Sequence, residues 1–221
     1  MTQKIKVLLV DDHPLVREGV ANLIHQQPDL EVCGEAASEP QALALMGNSE
    51  PDIAVVDISL ENGSGLELIK NVKALHPAVA MLALSMHDES LYAERALRAG
   101  ARGYLMKREA AKKVIQGIRA VLAGQLFVSE KIAAQMAEKF VGGRTVDSSS
   151  PVEQLSDREL EVFQLLGRGH STRQIADHLH VGFKTVQAYC ARIKEKLKLA
   201  NATELLRAAI QWNENENRPG K

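Results

Sequence analysis

The stretch "VLLVDDHP", residues 7–14, places four apolar residues directly before two carboxylates, a histidine and a proline. A continuous apolar run of this kind is typical of a strand that is buried on both faces of a parallel sheet. Asp11 and Asp12 would then lie at the carboxyl end of the strand, where open α/β sheets bind their ligands. Adjacent carboxylates raise each other's pKa unless a cation compensates them. The stretch therefore predicts a parallel α/β fold with a cation site at the end of its first strand.

Short apolar runs alternate with segments of helical period over residues 1–124. This alternation predicts an α/β domain with a doubly wound, five-stranded parallel sheet covered by helices on both faces. The strand candidates are residues 6–10, 31–36, 52–57, 80–85 and 103–106, and the helix candidates lie near 14–27, 39–48, 65–75, 89–99 and 110–123.

The pattern changes to helices alone after Gly124. A helix candidate at 129–140 is followed by "GGRTVDSSSP", whose glycine, serine and proline content is typical of a linker. Four further helix candidates follow, and two of them begin with the serine and the Glu or Gln of a capping box. We therefore predict a small all-α domain. The predicted divisions are 1–124 for the sheet domain, 125–152 for a linker helix and flexible linker, 153–214 for the helical domain and 215–221 for a polar tail.

Composition places the 221-residue chain among ordinary globular proteins, with 45% hydrophobic and 25% charged residues. Its longest apolar runs fall well short of the roughly 20 residues of a membrane span, so we expect no membrane partner. Only Cys33 and Cys190 are present, which suits a reducing compartment, and we expect a cytoplasmic protein. Residues 168–198 carry seven Lys and Arg against Asp177 and Glu195, a net charge of +5. That excess indicates either a polyanion footprint or a solvated face.

Polar side chains also follow the other strand candidates. Asp57 ends the third, Ser85 ends the fourth, and Lys107 follows the fifth. Because the carboxyl ends of parallel strands share one edge, these groups converge with Asp11 and Asp12 if the strands are neighbours. A cluster of oxygen ligands favours a hard cation, and a small site on rigid strand ends suits Mg²⁺. The Lys107 ammonium supplies a positive charge that can pair with a phosphoryl oxygen.

The motifs "VDDH", "VVDISLENGSGLELI", "LALS" and "AGARGYLMK" resemble, in order and spacing, the receiver domain of two-component response regulators, over residues 4–124. The resemblance implies a flavodoxin-like fold in which a histidine kinase phosphorylates Asp57. It also implies that Mg²⁺ is bound by Asp11, Asp12, Asp57 and the backbone carbonyl of Ser59. The phosphoryl-binding or switch residues that it implies are Ser85, Lys107 and Tyr104. His13, which precedes Pro14, is interpreted as the start of the first helix rather than as a ligand.

Two positions depart from many receivers. Glu61 and Arg108 stand where many receivers have proline. The absence of proline after Lys107 is common in the NarL/FixJ class of response regulators. Glu61 adds a negative charge close to Asp57, and we expect it to alter the lifetime of the phosphoryl group or the affinity for metal.

The stretch "LSDRELEVFQLLGRGHSTRQIADHLHVGFKTVQAYCARIKEKL" resembles the LuxR-type helix-turn-helix domain, within residues 153–212. With the receiver, it is similar to the NarL/FixJ class of response regulators. In the third of its helices, Val186, Cys190, Ile193 and Leu197 share an apolar face that packs inward. The opposite face supplies the predicted DNA contacts, which are Lys184, Thr185, Gln187, Ala188, Ala191, Arg192 and Lys198.

Helical spacing gives some of these residues separate roles. Lys184 and Lys198 suit phosphate contacts that fix register. Gln187 suits an adenine edge, and the methyl groups of Ala188 and Ala191 suit thymine methyls or close approach. Many relatives have lysine at position 187 and serine at position 182, where this chain has Gln187 and Gly182. The first difference removes a phosphate or guanine contact, and the second removes a helix cap at little cost.

The last helix, at 202–212, carries an apolar face, consisting of Leu205, Leu206, Ala209, Ile210 and Trp212. That face either pairs two DNA-bound subunits or closes the four-helix core. The expected function is a transcription regulator in which phosphorylation permits a homodimer to bind paired half-sites in double-stranded promoter DNA, with RNA polymerase as a further partner.

We expect no enzymatic activity beyond Mg²⁺-dependent self-phosphorylation and slow autodephosphorylation. Two alternatives remain at this point. A Mg²⁺-dependent phosphohydrolase of the haloacid-dehalogenase type needs an acid two residues after the nucleophile, where this chain has Ser59. A phosphorylation-independent regulator would use the receiver as a dimerisation or ligand-sensing module. Such a regulator would need none of the residues that this chain retains, namely Asp11, Asp12, Asp57, Ser85 and Lys107.

Overall fold

The computed structural model describes residues 4–60, 63–87, 89–142 and 151–216. Glu61, whose effect was predicted above, lies outside the described residues. The chain divides into two compact units, the first ending at Gln135 and the second beginning at Met136. None of the helices within the described ranges is long and apolar enough to cross a membrane.

The first unit is a five-stranded parallel sheet with the strand order β2-β1-β3-β4-β5. Its strands are β1 Ile5–Val10, β2 Leu30–Ala36, β3 Ile53–Asp57, β4 Ala80–Ser85 and β5 Gly103–Met106. The intervening helices are α1 Pro14–His25, α2 Glu39–Ser49, α3 Gly65–Leu75, α4 Glu89–Ala99 and α5 Lys107–Leu122. The predicted α/β fold class is confirmed. Because the strand order reverses between β1 and β3, the carboxyl ends of these two strands form the switch point of the sheet.

Strand β3 is buried, and a glycine at the start of α3 allows this helix to lie close to the end of β3. Every residue of β3 is buried, as expected for a central parallel strand. A Cβ added to Gly65, the first residue of α3, would lie 2.0 Å from the carbonyl oxygen of Asp57. Glycine therefore allows α3 to begin directly against the acidic end of β3.

The ordered edge of the sheet continues past Gly124. Phe127 forms a parallel bridge with Gly103. The Tyr104 amide donates to the Phe127 carbonyl at 2.8 Å, and the Phe127 amide donates to the Arg102 carbonyl at 3.0 Å. Helix α6, Glu130–Gly142, follows, and the hydroxyl of Ser129 accepts from the Ile132 amide at 3.2 Å. The first compact unit thus includes the beginning of the segment that the sequence assigned to the linker.

The second unit is helical. A 3-10 turn at Pro151–Gln154 precedes α7 Asp157–Gly167, α8 Thr172–His178, α9 Phe183–Lys196 and α10 Ala202–Glu216. Both predicted capping boxes are present at the beginnings of α7 and α8. The predicted helical domain after the sheet domain is confirmed.

One side of α10 closes the core of the helical unit. Leu205 and Ala209 are buried, and the Trp212 ring lies 5.9 Å from that of Phe163 in α7. Leu206 and Ile210 remain 42% and 38% exposed on the same helix. Core closure therefore uses part of the apolar face and leaves part of it at the surface.

Candidate functional site

A lysine lies between two buried carboxylates at the carboxyl edge of the sheet. The Lys107 ammonium donates to Asp57 Oδ2 at 2.7 Å and lies 2.7 Å from Asp11 Oδ2. Asp57 and Asp11 are only 1% and 3% exposed. The fold therefore brings together side chains from the ends of β1, β3 and β5, as the sequence predicts.

The negative charge of this cluster is not fully compensated. Two buried carboxylates share one ammonium, which lies 2.7 Å from an oxygen of each. Burial raises the pKa of Asp57, and the charge of Lys107 opposes this effect only in part. Burial alone would lower the pKa of Lys107, but the neighbouring carboxylates raise it. The cluster therefore favours binding of a further cation.

The residues present fit a metal ion. Asp11, Asp12, His13 and Asp57 each offer a ligand atom, and these atoms lie within 4.8 Å of one another. Three of the four are carboxylate oxygens, the donors that a hard ion such as Mg²⁺ prefers. The Ser59 amide donates to Asp57 Oδ1 at 3.0 Å, which fixes the loop of the predicted carbonyl ligand against Asp57.

His13 occupies the N-cap position of α1, in agreement with the sequence interpretation. The ring position was not predicted: Nδ1 lies 2.8 Å from Asp12 Oδ1 and 3.3 Å from Asp11 Oδ1. Sequence reasoning also missed Arg17, whose Nη1 donates to the Asp11 carbonyl oxygen at 2.6 Å. No sequence pattern indicates this contact, because Asp11 lies outside α1 and six residues before Arg17.

Ser85 and Tyr104 meet the same short loop. The Ser85 hydroxyl, fully buried, accepts from the His87 amide at 2.9 Å. The Tyr104 hydroxyl donates to the His87 carbonyl at 3.0 Å, and this side chain is 3% exposed. Asp57 pairs with Leu84 in the sheet register, so Ser85 lies one residue further along the neighbouring strand. The two predicted switch residues are thus joined through the backbone of His87.

Helix α9 separates apolar and polar faces as predicted. Val186 and Ile193 are fully buried, and Cys190 and Leu197 are half-buried. The predicted DNA contacts are all exposed, namely Lys184, Thr185, Gln187, Ala188, Ala191, Arg192 and Lys198. Gly182 occupies the N-cap position and supplies no side-chain cap.

One cation of the basic segment is held by the protein itself. Lys196 donates to Glu159 Oε2 at 2.6 Å and to the Gln154 carbonyl at 3.2 Å. Burial would raise the pKa of Glu159, but hydrogen bonds from Lys196 and Ser156 lower it. Sequence counting included Lys196 in the local positive charge and did not detect this pairing.

Both parts of the chain match known protein families. Residues 7–119 match the response regulator receiver domain, and residues 153–209 match the LuxR family of bacterial regulatory proteins. The chain belongs to the response regulator family. The predicted combination of a receiver and a LuxR-type domain is confirmed, and this response regulator is a DNA-binding regulator of transcription. It is accordingly a regulator rather than an enzyme of the usual kind.

Two relatives match this chain over nearly their whole length. This response regulator is 32% identical over 211 residues to the oxygen regulatory protein NreC of Staphylococcus carnosus, covering 94% of this chain and 97% of that protein. It is 34% identical over 207 residues to the response regulator GacA of Pseudomonas syringae pv. syringae, covering 94% and 96%.

Solved structures support the fold. A LuxR-family two-component response regulator from Aurantimonas aligns with a TM-score of 0.58 and 37% identity, covering 63% of this chain and 99% of that one. RcsB from Salmonella enterica serovar Typhimurium, bound to a promoter in the presence of a phosphomimetic, aligns with a TM-score of 0.70. That match covers 95% of this chain and 100% of RcsB at 22% identity, and it supports the fold alone.

Proposed function

We propose that a histidine kinase phosphorylates Asp57 and that this modification controls the binding of double-stranded promoter DNA by α9. In this proposal residues 1–124 form the phosphoacceptor domain and residues 153–214 the DNA-binding domain, joined by the linker at 125–152. The observation that carries the proposal is the buried Asp57 carboxylate, held by Lys107 at the switch point of a receiver-type sheet.

Phosphoryl transfer follows from the arrangement of charges. An Asp57 carboxylate oxygen attacks phosphorus, the bond from phosphorus to the kinase histidine nitrogen breaks, and its electron pair returns to the imidazole. Lys107 keeps its proton, because the adjacent carboxylates raise its pKa, and it neutralises charge that develops on the phosphoryl oxygens. Mg²⁺, when bound by Asp11, Asp12, Asp57 and the Ser59 carbonyl, supplies further neutralisation of that charge. The same residues would support slow autodephosphorylation by water.

Transmission starts at Ser85. A phosphoryl group adds about −1.5 to −2 charge and strong acceptor oxygens, toward which the Ser85 hydroxyl can donate. The Ser85 hydroxyl also accepts a hydrogen bond from the His87 amide, so a movement of Ser85 moves the loop at His87. The carbonyl of His87 in turn accepts the hydrogen bond of the Tyr104 hydroxyl. Tyr104 is bonded through its amide to Phe127, in the segment that leads to α6. A shift in the population of Tyr104 positions therefore reaches the first residues of the linker.

DNA binding would use a homodimer formed after phosphorylation. The exposed residues of α9 offer positive charge and polar groups for a major groove. Leu206 and Ile210 on α10 remain exposed and are suited to pairing with a second copy. Two modules on adjacent half-sites bind more tightly than one, because the second binds at high effective concentration. The proposed setting is the cytoplasm, with RNA polymerase as a further partner.

The acceptor assignment is tested by incubation with acetyl phosphate and Mg²⁺, followed by intact mass and peptide mapping. We expect one added phosphoryl group on the peptide that contains Asp57 and none in the Asp57→Asn variant. An Asp57→Asn protein that still gains a phosphoryl group at the same rate would contradict the assignment.

A further inference from the structure

The C-terminal end of α9 is fixed by a contact that lies outside its predicted DNA-binding surface. Lys196, the last residue of α9, has its Nζ 2.6 Å from Glu159 Oε2 in α7 and 3.2 Å from the Gln154 carbonyl oxygen. Glu159 has a side chain that is only 3% exposed, compared with 37% for Lys196. Two protein acceptors, one in the first turn of α7 and one in the 3-10 turn before it, therefore bind this ammonium.

Glu159 is itself fully engaged in the cap of α7. Its Oε2 also accepts from the Ser156 amide at 2.8 Å, while its own amide donates to the Ser156 hydroxyl at 3.4 Å. A buried carboxylate with a charged partner and a further hydrogen bond is well compensated. Breaking the pair would leave that charge buried with only the Ser156 amide to compensate it.

The Lys196–Glu159 pair restricts the orientation of α9 more than the apolar contacts of this helix do. Val186 and Ile193 hold the helix by hydrophobic burial, which is not directional, whereas a charge-assisted hydrogen bond has a preferred geometry. The opposite end begins at Gly182 without a side-chain cap. Since α9 has 14 residues, it is about 21 Å long. A tilt of about 5° around the Lys196 end would move the first turn by roughly 2 Å, too far for a base-edge hydrogen bond to persist.

We propose that Lys196 is a positioning residue for promoter recognition, which sets the orientation of α9 through Glu159 and makes no phosphate contact. This inference rests on the proposed DNA-binding function of α9. It separates Lys196 from Lys184 and Lys198, which are predicted to contact phosphates. A phosphate contact contributes to the salt dependence of binding, whereas a positioning contact contributes to discrimination between sequences.

The test uses the full chain, phosphorylated with acetyl phosphate and Mg²⁺, and a duplex selected from a random DNA pool. Dissociation constants for the selected and a scrambled duplex are measured between 50 and 200 mM salt for the wild type and four variants: Lys196→Met, Lys196→Arg, Glu159→Gln and Lys198→Met. The Glu159→Gln variant retains an oxygen that can accept from Ser156, so the cap of α7 is preserved. Fluorescence of Trp212, the single tryptophan, confirms that each helical unit is folded at the temperature of the assay.

We expect Lys196→Met and Glu159→Gln to lower the ratio of specific to nonspecific affinity by at least about fivefold, the effect of one mismatched base pair. Their salt slopes should equal that of the wild type, and Lys196→Arg should recover most of the discrimination. The matched variant Lys198→Met should reduce the slope by about 0.9 and keep the ratio.

Two results would overturn the inference alone. The first is a Lys196→Met protein with a reduced salt slope and intact discrimination, which would identify a phosphate contact. The second is a folded Lys196→Met protein with unchanged slope and discrimination and only a lower melting temperature. A phosphorylated wild-type chain that selects no DNA sequence would overturn the proposed function and this inference together.

Discussion

Two lysine–carboxylate contacts, one in each unit, have opposite electrostatic consequences. In the sheet unit Lys107 lies between Asp57 and Asp11, and burial leaves the pKa of Asp57 raised. In the helical unit the pKa of Glu159 is lowered, because Lys196 and Ser156 more than offset its burial. The first cluster has more buried carboxylates than cations, while the second is balanced. A cluster with surplus negative charge can bind a cation, whereas a balanced pair serves to hold two helices in place.

The largest expected effect concerns the surplus carboxylates of the sheet unit. Replacing Asp11 or Asp12 with Ala should reduce labelling of Asp57 by acetyl phosphate to the metal-free rate, because the cation loses a ligand. The measurement is the labelling rate as a function of Mg²⁺ concentration, with circular dichroism to show that the fold is intact. The matched variant Glu159→Gln, in the helical unit, should label at the wild-type rate. Full Mg²⁺-dependent labelling of either alanine variant would contradict this interpretation.

Removing the shared cation should destabilise the sheet unit more than any surface charge does. The Lys107→Met variant leaves two buried carboxylates uncompensated, and we expect a loss of about 3–5 kcal/mol at neutral pH. Added Mg²⁺ should restore part of this stability, because it binds the folded state. Native-state amide hydrogen exchange in β1 and β3 measures the effect locally.

The control for that experiment is Lys113→Met, which removes a lysine whose pairing with Glu109 is at the surface. Its expected cost is below about 0.5 kcal/mol. Equal and small losses for both lysine variants would show that the charges of the sheet unit are compensated in some other way.

Acid should change the stability contributions of Glu159 and Asp57 in opposite directions. The lowered pKa of Glu159 stabilises the helical unit above the unfolded value near 4.5, and this contribution is lost as the pH falls through the lower folded value. Urea unfolding followed by Trp212 fluorescence measures that loss. In the Lys196→Met variant it should begin at higher pH, since the main partner of Glu159 is gone. Identical pH profiles for variant and wild type would contradict the assigned pairing.

For Asp57 the sign is reversed. Its raised pKa means that the ionised form disfavours folding above the folded value. This cost shrinks as the pH falls through the folded value and is gone below the unfolded value near 3.8. The Asp57→Asn variant should therefore be more stable than the wild type at neutral pH, and the difference should shrink in acid. Hydrogen exchange in β3 across this pH range checks the prediction, and a constant difference would count against it.

The smallest expected effect concerns an exposed lysine of α9. Lys184→Ala should weaken binding to specific and nonspecific DNA about equally, and it should lower the salt slope by about 0.9. Binding titrations at several salt concentrations give both quantities. An unchanged slope would exclude Lys184 as a phosphate contact, and a selective loss of the specific complex would place it at a base edge.

The sequence predicted those features that depend on local pattern. Alternating apolar runs and helical segments predicted the sheet, and the positions of Asp57, Ser85 and Lys107 after apolar runs predicted their common edge. Serine with Glu or Gln three residues later predicted both capping boxes, because that motif is complete within one turn of helix.

The features that were missed depend on long side chains or isolated backbone contacts. Lys196 and Glu159 are 37 residues apart, and a lysine on a helix is normally read as solvated. Phe127 joins the sheet through an isolated bridge, too short for an alternating pattern to reveal. The direction of the His13 ring depends on its side-chain torsions, which residue order does not specify.

The most direct test of the central claim is the affinity of the full chain for its selected duplex before and after treatment with acetyl phosphate and Mg²⁺. Fluorescence anisotropy gives this affinity for the wild type and for Asp57→Asn under the same conditions. We predict that treatment tightens binding by the wild type and leaves Asp57→Asn unchanged. Equal tightening in both proteins, or wild-type binding that does not respond although Asp57 is fully phosphorylated, would contradict control of DNA binding through Asp57.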